Sequence, residues 1–119
     1  MRMIVVLSML GSAAMAEHYV EVWTCTLEDE KTTDDVQAAN SVWLAYAHEN
    51  ISLDITSSVV TSVVGDLTSF RFVDTFPDLD TWARAKTRLD SDEADELEDL
   101  FEGIFECSGN RLNKVTPTT

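Results

Sequence analysis

The most constraining feature of this chain is its first sixteen residues, which have the layout of an export signal. Arg2 supplies a short positive start, and Ile4 to Leu10 is an apolar run interrupted by one Ser. Ala14-Met15-Ala16 offers the small-x-small pattern that signal peptidase cuts. Cleavage there leaves Glu17 as the new N-terminus and 17–119 as one domain, too short to divide in two. An exported chain folds in an oxidising space, periplasmic or extracellular, so Cys25 and Cys107 are expected to form a disulfide. The apolar run is shorter than the about 20 residues that span a bilayer. No second such stretch follows, and no Cys sits at the cut for lipid attachment. A soluble product without membrane insertion is therefore expected after cleavage.

Charge narrows the partners. The chain carries 22 Asp plus Glu against 8 Lys plus Arg, a formal net charge of −14. That balance argues against nucleic acid, whose phosphates need clustered Lys and Arg. Anionic membrane surfaces are disfavoured for the same reason. The surplus acid either keeps the protein dispersed or forms an acidic docking surface.

Along the chain, Tyr19 to Thr26 alternates as a strand. Val20, Val22, Thr24 and Thr26 share one face, and Tyr19, Glu21, Trp23 and Cys25 share the other. Thr32, Thr33 and Asp34 are candidate N-caps for a helix that ends near Asn50. Val36, Ala39, Trp43 and Tyr46 or Ala47 form its buried stripe. Leu53 to Val64 favours strand, with a phase slip that predicts a bulge or bend near Ser57-Ser58. Gly65-Asp66 predicts a two-residue hairpin turn, and Phe70 to Phe76 is the return strand. Pro77 stops it. Asp78 caps a second helix carrying Leu79, Trp82, Ala85 and Leu89. Asp90-x-x-Glu93 restarts that helix after a bend, making it long and bent. Leu97, Leu100, Phe101, Ile104 and Phe105 continue at helical spacing, opposite an acidic face from Asp92 to Glu102. Gly109-Asn110 predicts a turn before a short last strand, Arg111 to Val115.

This order, strand-helix-strand-strand-helix-strand, is the ferredoxin-like βαββαβ arrangement of the α+β class. Its four-stranded antiparallel sheet holds the first and third strands in the middle, with the last beside the first. The end of the first strand then lies near the start of the last, where Cys25 and Cys107 fall. The disulfide and the topology support each other.

The chain resembles small members of the dimeric α+β barrel superfamily, the antibiotic-biosynthesis-monooxygenase-like group. The resemblance is carried by Tyr19-Val20-Glu21-Val22-Trp23, by Ala39-Asn40-Ser41-Val42-Trp43-Leu44, and by the segment from Phe72 through Pro77 to Trp82. It is a likeness of layout over nearly all of 18–116, without a diagnostic catalytic motif. It implies a homodimer closed through the open sheet faces, and a small apolar ligand inside the barrel. Haem-degrading relatives place an Asn, a Trp and a second-helix His around the cavity. Here the segment from Asp78 to Leu89 holds no His, and Asn40 and Trp43 lie on the first helix. No haem or other cofactor is expected.

The residues offer few chemical groups. His18 and His48 are the only histidines, and nothing in the pattern brings them together, so no metal site is expected. No Ser-His-Asp set, phosphate loop or reactive thiol stands out. Asn50-Ile51-Ser52 matches a glycosylation sequon of low specificity. Trp23, Trp43 and Trp82 suit core packing. Glu21, Arg71 and Asp74 are polar residues within the first and third strands. Facing a cavity, Arg71 would pair with one carboxylate and leave the other as a general base with a raised pKa. Facing solvent, they would carry no chemistry. The candidate cavity set is Glu21, Trp23, Asn40, Trp43, Arg71 and Asp74.

The sequence thus predicts an exported, disulfide-bridged homodimeric barrel acting as a non-catalytic binding or structural module. The rival readings are a cofactor-independent oxygenase or isomerase acting on a small apolar molecule, and an acidic interaction module.

Overall fold

The computed structural model describes residues 16–119, so the expected export segment lies, but for Ala16, outside the described residues. Strand β1 (His18–Leu27) leads through a charged turn into helix α1 (Thr33–Asn50). Thr32 caps α1 in a capping box: its hydroxyl accepts from the Asp35 amide, and the Asp35 carboxylate accepts from the Thr32 amide at 2.8 Å. Strands β2 (Thr56–Thr61) and β3 (Ser69–Phe76) follow. Helix α2 (Leu79–Leu89) is capped by Asp78, whose carboxylate accepts from the Thr81 amide at 2.7 Å. A 3₁₀ turn (Asp92–Ala94), a short helix α3 (Asp95–Phe101) and strand β4 (Phe105–Val115) complete the fold.

All strand pairs are antiparallel, in the order β2-β3-β1-β4. That is the ferredoxin-like sheet expected from the element order. Because β1 is central, its inward face is paired on both sides: Glu21 stands opposite Asp74, and Trp23 stands between Phe72 and Asn110. Cys25 pairs with Cys107 across the β1–β4 ladder, and the two form a disulfide spanning 82 positions of sequence. In the chain-entropy view such a link stabilises by roughly 4–5 kcal/mol.

Four local expectations are corrected. The bulge lies on β4 and not at Ser57-Ser58. β2 pairs with β3 in continuous register, while Thr24 meets Gly109 and Cys25 meets Cys107, which leaves Ser108 as the extra residue. The β2–β3 connection is a loop over 62–68 rather than a two-residue turn. Val63 and Val64, read as the end of a strand, stand in that loop and are exposed; Gly65 takes a positive φ of 103°, and the Asp66 carboxylate accepts from the Thr68 amide. The long bent helix is two helices separated by the 3₁₀ turn, with Asp90 closing α2. Finally, the helical pattern does not run to Phe105. Gly103 adopts φ 83°, a left-handed value favoured by glycine, and Ile104 and Phe105 turn into the last strand. β4 is therefore longer than expected, and Gly109-Asn110 lies within it.

The helices cover one face of the sheet. Trp43, Ala47, Ile55, Phe76 and Ala85 form one buried cluster, and Cys25, Val36, Phe70 and Phe72 form another. No helix among the described residues is long and apolar enough to cross a membrane. Leu97 is 7% exposed and Leu100 is 38% exposed, so the stripe read from sequence is buried only in part. Leu97→Ala is expected to lower unfolding stability by about 2–4 kcal/mol, and Leu100→Ala by less than about 1 kcal/mol. Equal losses in chemical denaturation would show that α3 does not present Leu97 alone to the core.

Candidate functional site

A cleft of about 360 Å³ opens between the inward sheet face and the helices, where the two core clusters meet. Its floor is Glu21 and Asp74, side by side on β1 and β3. Its walls are largely aromatic: Trp23 and Phe72 from the sheet, Trp43 from α1, and Phe101 and Phe105 beyond α2. Phe105 meets Phe72 edge-on at 5.0 Å between centroids and Phe101 at 5.6 Å, which fixes that wall. Asp90, after α2, and Glu98, on α3, line it as exposed residues.

Both floor carboxylates are buried, Glu21 at 2% exposure and Asp74 at 6%. They are held by different partners. Lys86 of α2 places Nζ 2.7 Å from Glu21 Oε1, and Asn110 of β4 donates to Glu21 Oε2 at 2.7 Å. The same ammonium lies 4.8 Å from the centre of the Trp23 ring. Asp74 has no such cation in contact among the described residues. Its Oδ1 accepts a short hydrogen bond from the Ser57 hydroxyl, which in turn accepts from Asn40 Nδ2 at 2.9 Å. Its Oδ2 makes no hydrogen bond with a described residue. Burial pushes the Asp74 carboxyl up to about 6, and the Glu21 charge adds to that rise; the Ser57 hydroxyl and, less strongly, Lys86 oppose it.

Five of the six candidate cavity residues, Glu21, Trp23, Asn40, Trp43 and Asp74, line this cleft. Arg71 does not. It alternates to the opposite face of β3, is exposed, and lines a separate cavity of about 430 Å³ with Arg111. Lys86 supplies the cation that the sequence reading assigned to Arg71. Its position was legible, since Trp82, Lys86 and Leu89 share one face of a helix, but a Lys on an apolar stripe reads first as a side chain reaching for solvent. Ser57 is positioned by its register opposite Asp74, and Asn110 by the β4 bulge; neither carries a sequence signal. The histidines serve locally: His48 Nε2 donates to the Ile55 carbonyl at 2.7 Å, and His18 Nδ1 bonds the Ala16 carbonyl at 3.2 Å. Among the described residues no group of three or more His, Cys, Asp or Glu is disposed to hold a metal.

In chemical terms the cleft offers a desolvated carboxylate with one free oxygen, next to a carboxylate compensated by Lys86, under aromatic walls. Such a site can hold a small, mostly apolar molecule by its body and meet one polar hydrogen of it at Asp74.

The raised Asp74 value has a consequence for stability. Its folded value exceeds the ordinary carboxylate value of 3.8, so the folded state holds the proton more tightly than the unfolded chain. This group's contribution is harmless below about pH 4 and becomes a penalty as pH rises through about 6. Asp74→Asn, isosteric and uncharged, is therefore expected to gain stability over the parent between pH 4 and pH 7, by about 3 kcal/mol at most. A stability difference flat across that range would show that Asp74 titrates as an ordinary surface acid.

No family model and no curated protein matches the sequence. Solved structures do. A NIPSNAP family protein of unknown function from Agrobacterium tumefaciens superposes with a TM-score of 0.65 at 14% identity, over 86% of this chain and 91% of that one. SnoaB, a cofactor-independent oxygenase from Streptomyces nogalater, superposes with a TM-score of 0.55 at 11% identity, over 87% and 96%. A second NIPSNAP family protein from Agrobacterium tumefaciens gives 0.59 at 13% identity, over 85% and 93%. At these identities the likeness is one of fold, and the chain has the ferredoxin-like α+β fold that NIPSNAP and antibiotic-biosynthesis-monooxygenase-like structures share.

Proposed function

We propose that this protein is an exported, homodimeric barrel that binds a small, largely apolar molecule in the cleft over Glu21 and Asp74. One observation carries the reading: two buried carboxylates sit at the floor of an aromatic-walled cleft of about 360 Å³, and only one has a cation against it. A purely structural module would fill that space with side chains. Burying Asp74 without a cation in contact is unfavourable, and a site built to meet a ligand is where such a group is retained. Dimerisation is supported by the uncovered sheet face, where Val20, Val22 and Val73 stand between the strands' polar residues. Export is supported by the signal-like first sixteen residues and by the disulfide.

The reading is tested with N-phenyl-1-naphthylamine, a neutral apolar probe that fluoresces in dry sites. The purified protein, with a light-scattering mass of twice the chain, is expected to enhance its emission to saturation at one probe per chain. A strictly linear, non-saturating response would leave the structural-module reading in its place.

A second reading is favoured by the Asp74 carboxyl itself. A desolvated carboxylate near 6 is a competent general base at neutral pH, the role needed in cofactor-free oxygenation or isomerisation. The probe is 5-nitrobenzisoxazole, a flat molecule whose ring C–H proton a carboxylate can take while its N–O bond breaks, releasing a coloured phenolate. Catalysis is expected to rise through about pH 6 and to fall by about a hundredfold in Asp74→Asn. Binding of this probe without turnover would confine the cleft to a binding role.

A further inference from the structure

We propose that the cleft selects an organic cation, an ammonium group carried on an apolar or aromatic body. This rests on the cleft being a ligand site and names the chemical class it takes. Among the described residues four carboxylates line the cleft, Glu21, Asp74, Asp90 and Glu98, against the single ammonium of Lys86. That ammonium is already engaged, between Glu21 Oε1 at 2.7 Å and the Trp23 ring at 4.8 Å. Asp90 and Glu98 make no ion pair with a described residue. Asp74 is the buried group left over: more than nine-tenths covered, with Oδ1 tied to Ser57 and Oδ2 without a hydrogen bond from any described residue.

A desolvated anion in this state is stabilised most by a cation placed against it. An anionic ligand would meet the uncompensated Asp74 at the floor and the carboxylates of Asp90 and Glu98 around it. A neutral ligand would leave the Asp74 charge uncompensated. An inorganic ion would sit against apolar rings without its hydration. An organic ammonium satisfies both parts of the site, since its charge meets Asp74 and its body suits the aromatic lining of Trp43 and Phe72. Lys86 over Trp23 already makes this type of contact within the protein. The net charge of −14 adds long-range attraction for cations.

The selection depends on pH through Asp74. The charged groups acting on it are Glu21 from β1 and Lys86 from α2, with Asp90 after α2 and Glu98 from α3 lining the same cleft; α1 and β2 contribute the neutral Asn40 and Ser57. Protonation of Asp74 below about 6 removes the charge that the ammonium meets.

The test uses the full chain and three probes with the same ring: benzyltrimethylammonium, benzyl alcohol and phenylacetate. Binding is followed by the indole N–H resonances of Trp23 and Trp43. At pH 8 the ammonium is expected to bind about tenfold or more tightly than the alcohol, and phenylacetate more weakly than either. That ratio should fall toward unity at pH 5 and in Asp74→Asn at both pH values. Equal affinities for ammonium and alcohol would overturn the cation proposal while leaving the cleft a site for neutral molecules. A preference surviving undiminished in Asp74→Asn would also overturn it, by tracing the selectivity to overall charge. If no probe shifts either indole, the cleft is not a ligand site and both readings fall.

Discussion

The central position of β1 is the constraint on which the rest of the molecule depends. β1 is hydrogen-bonded along both edges, to β3 and to β4, so each inward side chain on it has a fixed neighbour on either side. Glu21 is thereby set against Asp74, and Trp23 against Phe72 and Asn110. The Cys25–Cys107 link ties β1 to β4 at the start of the last strand, beside the bulge. The bulge shifts β4 by one residue, so Cys107 and Asn110 both come to the inward face. A different register would turn one of them away.

From that frame the cleft follows as an electrostatic arrangement more than as a void. Two carboxylates on adjacent central strands repel each other in a dry setting. The fold answers this asymmetrically. Glu21 receives Lys86 from the covering helix and Asn110 from the sheet, while Asp74 receives only the hydroxyl of Ser57, positioned by Asn40. The asymmetry leaves one acid compensated and the other poised near neutrality, as happens where two titratable groups share a site but not an environment. Burial of both acids sharpens the difference, since charges interact more strongly away from bulk water.

The helices show how local signals and tertiary demands divide the work. Thr32 and Asp78 cap α1 and α2 as their sequence neighbourhoods predict, because a cap is a short-range contact between a side chain and amides two or three residues on. The stripe from Leu97 to Phe105 fails at Gly103 for a reason of wider range. Apolar spacing of three and four recurs, but the chain must leave the helix there to bring Phe105 opposite Leu27 and Cys107 opposite Cys25. The paired valines of 59–60 and 63–64 mislead in the same way. Val59 faces inward opposite Phe72, Val60 faces out, and Val63 and Val64 lie beyond the last paired residue.

What the sequence determined by itself was the order of elements, the alternation that puts Glu21, Trp23 and Asp74 on facing sides of their strands, and the Cys pair that matches the βαββαβ sheet. Each is encoded within a few residues or in the order of segments along the chain. What only the tertiary structure decided was which charged groups meet. Alternation along the strand already puts Arg71 and Asp74 on opposite faces, so the cation for the inward acids had to come from elsewhere in the chain. Lys86, 65 positions from Glu21, lies against it because α2 packs over the sheet. Whether a buried acid finds a cation is settled by through-space geometry, and no local pattern records it.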